Sequence, residues 1–444
     1  MSRTSAGASL YEGQSVWVRH LGDGLAELCF DRQGESVNKF DQRTTTELME
    51  AVARIAATPE VRGLLCTSAK GVFVVGADIN EFGARFQLPE AALALDVQGC
   101  NVPFVALEDL RIPTVAAING YALGGGLEFA LACALRVMSS AAQVGLPEVK
   151  LGLFPALGGT VRLPRVAGTA TAIEWITSGE PRDAAAALAA RAVDAVCAPE
   201  ALRETALGCL RQAVRGDIAW ADRQRAKCSP LAEDAALRQR LYDAACAQLE
   251  PMARHQPAAL AAVELMARCA PLERQAALVE ESVSFARIAK TQAAAALVQT
   301  FLSDQRVRKL ARQRGDAVAA GRERLVGRAR AAFEGAARRL LAEGAAPAQI
   351  DGALQEFGWS DVPWREQHAA DGGRAAPAFS SREIGERPLL ALTVEAARAL
   401  DDAVVSTPAE ADIALLQGLG VPPHIGGALQ WADWVGLPEV LRRC

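Results

Sequence analysis

The sequence predicts an α/β domain followed by a mostly helical second half, and two observations carry this. Up to Pro199, short apolar runs alternate with segments whose apolar residues repeat at helical spacing, the rhythm of parallel strands joined by helical crossovers. Beyond Pro199, alanine, leucine and arginine recur at helical spacing to about Arg314, and alanine is the best helix former.

Taken in order, residues 15–20 and 25–30 are two short strands about the turn Gly22, Asp23 and Gly24. Asp41 is placed to cap a helix that carries Leu48, Val52 and Ile55 on one face and ends before Pro59. Residues 63–66 and 114–118 are buried strands by their apolar runs. Residues 72–78 (VFVVGAD) are expected to form another apolar strand, ending in glycine. After Arg314 a further helical block covers residues 321–357. Residues 368–381 are small, polar and punctuated by glycine and proline, the signature of a loop. A last helical block covers residues 383–404, and Pro422 and Pro423 break the chain before C-terminal turns. Trp359, Trp364, Trp431 and Trp434 are expected to anchor the helical core.

A chain of 444 residues has room for more than one core. Its net charge of −5 and lack of a clustered basic run argue against nucleic acid as a partner. The arginines between residues 306 and 314 read as a solvated helix face. The ten cysteines are scattered with no CxxC pair, so no zinc or thioredoxin-like site is suggested and a reducing compartment fits. His20, His255, His368 and His424 stand apart, which disfavours a metal centre. The first residues lack the apolar core of a signal peptide, and no apolar run is long enough to span a membrane. The expectation is a soluble, cytoplasmic protein.

The chemistry is concentrated in residues 113–165. A buried strand passes through Gly124, Gly125 and Gly126 into a helix that starts near Leu127, with Glu128 in its first turn. Glycines let backbone approach a ligand closely, and a helix N-terminus offers unpaired N–H groups to a developing oxyanion. Glu148 follows a short strand at residues 143–145 and the turn Leu146–Pro147. Alone, Glu128 would read as an acid stabilised by the helix dipole and Glu148 as a turn residue. Together they are the pair that adding water across a double bond requires: one carboxylate accepts a proton from water while the other delivers one to the neighbouring carbon. An adjacent thioester oxygen would need donors of its own, for which Ala77 N–H facing Gly125 N–H is the candidate pair.

Three stretches then resemble one family. They are Phe73-Val74-Val75-Gly76-Ala77-Asp78, residues 119–128 (NGYALGGGLE), and Gly145-Leu146-Pro147-Glu148, and they are similar to the enoyl-CoA hydratase/isomerase (crotonase) family. The finer likeness is to multifunctional fatty-acid oxidation proteins, in which a hydratase is fused to a 3-hydroxyacyl-CoA dehydrogenase. The resemblance implies a crotonase ββα spiral over residues 1–305, with its C-terminal helices, and a helical domain over residues 306–444. It implies that Glu128 activates water, that Glu148 protonates the α-carbon, and that Ala77 and Gly125 form the oxyanion hole. In the family the same pair often shifts a double bond as well, so isomerase activity accompanies the expectation. The chain departs from the family at Ala156 and Arg191, where glycine is usual, and both changes are expected to reshape the acyl pocket.

In the resembled multifunctional proteins a dinucleotide-binding domain follows the helical linker. Here residues 301–305 resemble the end of that linker, and by Leu325-Val326-Gly327-Arg328 the sequence resembles the start of the C-terminal dehydrogenase domain. No GxGxxG and no room for a βαβ unit lie between. The implied cofactor set is therefore a CoA thioester substrate without NAD and without metal. Residues after 306 read as a helical scaffold for self-association or for a thiolase-like partner. Two alternatives remain: another crotonase-fold reaction such as thioester hydrolysis, disfavoured by the presence of both glutamates, and a non-catalytic partner subunit, disfavoured for the same reason.

Overall fold

The structure, a computed structural model, describes residues 7–359 and 379–443. Most of the expected 368–381 loop, with His368, and Trp364 lie outside the described residues. The chain divides into two compact units, Met1–Lys290 and Thr291–Cys444. The division anticipated after residue 305 falls within a helix of the second unit, Gln292–Arg314.

The first unit opens with β1 (Ser9–Glu12), β2 (Val16–Gly22), β3 (Leu25–Phe30), α1 (Gln42–Ala56) and β4 (Gly63–Ser68). It continues through α2 (Phe82–Arg85), α3 (Glu90–Glu108), β5 (Thr114–Ile118), β6 (Ala122–Leu123), α4 (Gly125–Ala132), β7 (Leu135–Ser139) and β8 (Gln143–Gly145). Then come α5 (Gly159–Ala167), α6 (Thr169–Ser178), β9 (Arg182–Asp183), α7 (Ala184–Ala189) and β10 (Ala195–Cys197). Five helices close the unit: α8 (Leu202–Arg215), α9 (Trp220–Cys228), α10 (Ala235–Ala253), α11 (Ala258–Cys269) and α12 (Arg274–Ile288).

Seven strands form one sheet in the order β1-β2-β3-β4-β5-β7-β10, and β6, β8 and β9 form a smaller one. The first three strands pair antiparallel, and from β3 to β10 the pairing is parallel. Strands β3, β5 and β7 are buried along their whole length, as parallel strands covered on both faces must be. On one face Leu65, Val115 and Val137 meet Leu207 and Leu210 of α8. Elsewhere in the core, Phe30, Phe40, Phe104 and Phe129 interlock edge to face, with the Phe30 and Phe129 rings 4.9 Å apart. Phe129 belongs to α4, whose eight residues are all buried. Glu128 apart, the helix is apolar on every side and so is buried all round.

The anticipated cap is present, since Asp41 accepts the Thr44 N–H at 2.8 Å and starts α1. One expected strand is not. Residues 72–78 run extended but join no ladder, making only single bridges from Ala77 to Phe40 and from Val74 to Ala122. Their backbone groups are spread over several partners: Phe73 N–H to Tyr121 O, Val75 N–H to Asn38 O, and Val74 O from Leu123 N–H. The segment threads between two neighbours, and Gly76 (φ +102°) bends it out of strand geometry.

The described part of the second unit is entirely helical: α13 (Gln292–Arg314), α14 (Asp316–Ala342), α15 (Pro347–Phe357), α16 (Ser381–Asp401), α17 (Pro408–Leu419), α18 (Ala428–Val435) and α19 (Leu437–Arg443). The segment after Pro422 and Pro423 is thus two short helices rather than turns alone. This unit has its own core, in which Phe333 meets Trp359 at 4.9 Å and Leu389, Leu392 and Leu415 are buried. Trp431 joins it, but Trp434 does not, being 53% exposed on the outer face of α18. Among the described residues no helix is long and apolar enough to cross a membrane, and nine cysteines are free thiols.

Candidate active site

The site forms where the chain leaves β6 and enters α4. Gly124 makes that turn at φ +52°, a backbone region that side chains disfavour. Space demands glycine there as well, since a Cβ would sit 2.6 Å from Glu148 Oε1. Gly125 begins α4, so its N–H has no acceptor inside the helix. Ala77 lies on the neighbouring extended segment. Its bridge to Phe40 uses Gly76 O and Asp78 N–H, each at 2.8 Å, which leaves the Ala77 N–H outside the pairing.

Glu128, in the first turn of α4, is 1% exposed. Its Oε1 accepts the N–H groups of Leu157 at 2.8 Å and Gly159 at 2.7 Å. Glu148 lies in the 3-10 turn Pro147–Leu151, and its Oε2 is buried with no hydrogen-bond partner among the described residues. The structure therefore brings all four sequence-selected residues, Ala77, Gly125, Glu128 and Glu148, to the wall of one cavity. Most of the remaining wall is hydrocarbon, including Phe40, Phe82, Phe86, Leu93, Phe154 and Phe285.

Burial pushes Glu148 up to about 8. It also drives Glu128 well above the ordinary carboxylate range, and the nearby charges of Glu148 and Glu281 add to the effect. The two backbone donors on Glu128 pull the other way. Two carboxylates this close titrate as a pair and do not ionise together readily. Donors favour the charged form, and Glu128 holds the N–H groups of Leu157 and Gly159 while Glu148 holds only its own backbone N–H. This difference in donors favours the charge on Glu128 and the proton on Glu148.

A third buried carboxylate escaped the reading of the sequence. Glu281 of α12 is 0% exposed and grips the same turn that donates to Glu128. Its Oε2 accepts Gly158 N–H at 2.7 Å, and its Oε1 accepts Thr160 N–H at 3.1 Å and Thr160 Oγ1–H at 2.5 Å. A signal was available: Glu281 interrupts the apolar stripe of Ala277, Leu278, Phe285 and Ile288 on its helix. A glutamate inside such a stripe must be buried, and a buried carboxylate must have donors.

Behind the site lies a buried charge cluster. Glu108 at the end of α3 is fully buried against Arg162 at 3.0 Å, Lys227 at 3.1 Å and Arg274 at 3.2 Å. Lys227 directs its N–H groups to the carbonyls of Leu131, Ala132 and Cys133 at the end of α4, at 2.8, 2.9 and 3.0 Å. It thereby caps the helix that carries Glu128. Arg162 donates to Leu157 O at 2.7 Å, fixing the far side of the turn.

Of the two departures from the family pattern, Ala156 lines the cavity and Arg191 does not. Arg191 instead occupies an exposed turn after α7 at φ +59°, a conformation natural to glycine, so its effect is on that turn and not on the pocket. Among the described residues no group of three His, Cys, Asp or Glu side chains is placed to hold a metal ion.

The model of the enoyl-CoA hydratase/isomerase family matches residues 21–263, more than half of the chain. The chain belongs to that family. Among curated relatives, the fatty acid oxidation complex subunit alpha of Pseudomonas putida (strain GB-1) is 45% identical over 304 residues, 68% of this chain and 42% of its own length. The protein of the same name from Pseudomonas savastanoi pv. phaseolicola has the same identity and coverage. The chain thus spans well under half the length of these relatives. A solved enoyl-CoA hydratase from Bacillus anthracis is 28% identical, covering 52% of this chain and 89% of its own, with a TM-score of 0.44. The family match ends before α12, so Phe285 of the cavity wall and Glu281 on the turn behind Glu128 both come from outside the matched residues.

Proposed function

We propose that this chain is an enoyl-CoA hydratase acting in the degradation of acyl-CoA thioesters. The observation that carries the reading is the pairing of a donor-held Glu128 with Glu148, whose Oε2 is buried without a partner, in one apolar cavity beside two free-standing N–H groups. The hydrocarbon wall suits an acyl chain, and the N–H groups of Ala77 and Gly125 suit the thioester oxygen. Water gives a proton to Glu128 as its oxygen bonds to C3. The double-bond electrons pass toward the thioester oxygen as an enolate, and C2 then takes the proton of Glu148. Glu128 ends protonated and Glu148 ionised, and proton exchange between them or with solvent restores the starting state.

The test is a panel of enoyl-CoA esters of graded length, followed by loss of the enoyl absorbance. Turnover of at least one ester to the 3-hydroxyacyl-CoA is expected. Conversion only between 3-enoyl and 2-enoyl isomers would replace hydration with isomerisation at the same glutamates.

The chain is further proposed to work without NAD. Residues 305–325 lie in α13, Gly315 and α14, which leaves no strand-to-helix turn there for a pyrophosphate. A calorimetric titration with NAD should show no stoichiometric binding, and 3-hydroxyacyl-CoA should not be oxidised. The name of the relatives is that of a complex subunit, which supports assembly with copies of itself or a thiolase-like partner through the helical unit.

A further inference from the structure

We propose that Glu281 is a positioning residue for Glu128, holding the turn at residues 157–160 so that two of its four N–H groups are aimed at the base. The inference rests on the hydratase reading for the role of Glu128, and on geometry for everything else. The four successive amides of this turn are divided alternately between two buried carboxylates. Leu157 and Gly159 donate to Glu128, while Gly158 and Thr160 donate to Glu281. Each set fixes the orientation of the other, because successive N–H groups in so short a turn cannot all be re-aimed independently. Glycine is required for the arrangement: Gly158 stands at φ +95°, and a Cβ on Gly159 would lie 2.8 Å from Glu128 Oε1.

Glu281 is confined from several sides. It faces Thr160 and Arg162 of α5, Glu128 of α4, Glu148 of the 3-10 turn and Cys269 of α11. Glu108 of α3 stands behind Arg162. Burial raises Glu281 to about 7, with the Thr160 and Gly158 donors opposing, so it is largely neutral on the acid side of that value. Removing its charge therefore changes little in acid, whereas removing its grip on the turn changes the donors that keep Glu128 ionised.

Glu281→Gln is the test, because the amide keeps the shape but its NH2 group cannot accept from Gly158 or Thr160 N–H. The expected result is a fall in kcat of roughly tenfold to hundredfold at little change in KM. The acid limb of kcat/KM should move to higher pH, since a Glu128 deprived of donors binds its proton more tightly. A limb that moves to lower pH would mean Glu281 acts only as a charge, and an unmoved limb would mean it is structural. Either outcome overturns the proposal. Should the variant not fold, Thr160→Val decides instead, with the same direction expected at smaller size and the same two outcomes against it. Assay of the wild-type chain comes first, because absence of any hydration would end the hydratase reading itself. Difference infrared titration of the buried carboxyl bands, wild type against Glu281→Gln, would then judge the positioning of Glu128 without turnover.

Discussion

Glu128→Gln and Glu148→Gln should each lower hydration by about a hundredfold to ten-thousandfold while leaving the thermal unfolding profile close to that of the wild type. Glutamine at 128 can still accept from Leu157 and Gly159 through its one oxygen, yet it has lost the basicity that draws a proton from water. Glutamine at 148 keeps the shape of the side chain but has no proton acidic enough to give to carbon. The pH profiles separate the two roles. In the proposed mechanism Glu148 is the protonated acid, and burial lifts it to about 8, so wild-type activity should fall as pH rises through that value. Whatever activity remains in Glu148→Gln should lack that alkaline limb. Near-normal turnover in either purified variant would remove that residue from the mechanism.

The largest stability effect is expected at Glu108, well away from any substrate. This carboxylate is fully buried against Arg162, Lys227 and Arg274. Burial alone would raise it, but the charges of Arg162, Lys227 and Arg274 overrule burial and hold it at about 2 instead of 4.5. A carboxyl depressed on folding contributes stability above its unfolded value and loses it as pH falls through the folded one. The window here runs from about 4.5 down to about 2 and is worth on the order of 3 kcal/mol. Glu108→Gln should lose about 3–5 kcal/mol at neutral pH, because Arg162 and Lys227 are left buried without their counter-charge. Burial already pushes Lys227 down to about 8, and without Glu108 it should release its proton at still lower pH. Activity should suffer as well, since Lys227 caps α4 and Arg162 holds the turn beneath Glu128. Denaturant unfolding from pH 2 to 8 would measure the difference, and a variant as stable as the wild type would refute the account.

The sequence by itself determined the features that depend on neighbours along the chain. The Asp41 cap, the strands at 25–30, 114–118 and 143–145 and the helical character beyond Pro199 all follow from local propensity and periodicity, which act over a few residues. The glycines at 124–126 and the glutamates at 128 and 148 were legible because that chemistry constrains residue types at fixed spacing. What the local pattern could not decide was where backbone hydrogen bonds would go. Residues 72–78 look like a strand, yet their partners come from separate segments near residues 38–40 and 121–123, so no ladder forms. Trp434 looks like a core residue, yet the packing of its helix turns it to the outside. The protonation of Glu128 and Glu148 and the grip of Glu281 on the turn behind Glu128 were equally invisible. Both rest on groups brought together from distant parts of the chain, Glu128 with Leu157 and Gly159, and Glu281 with Gly158 and Thr160. Only tertiary structure sets how many donors each buried carboxylate keeps, because desolvation and hydrogen bonding at a distance leave no period in the sequence.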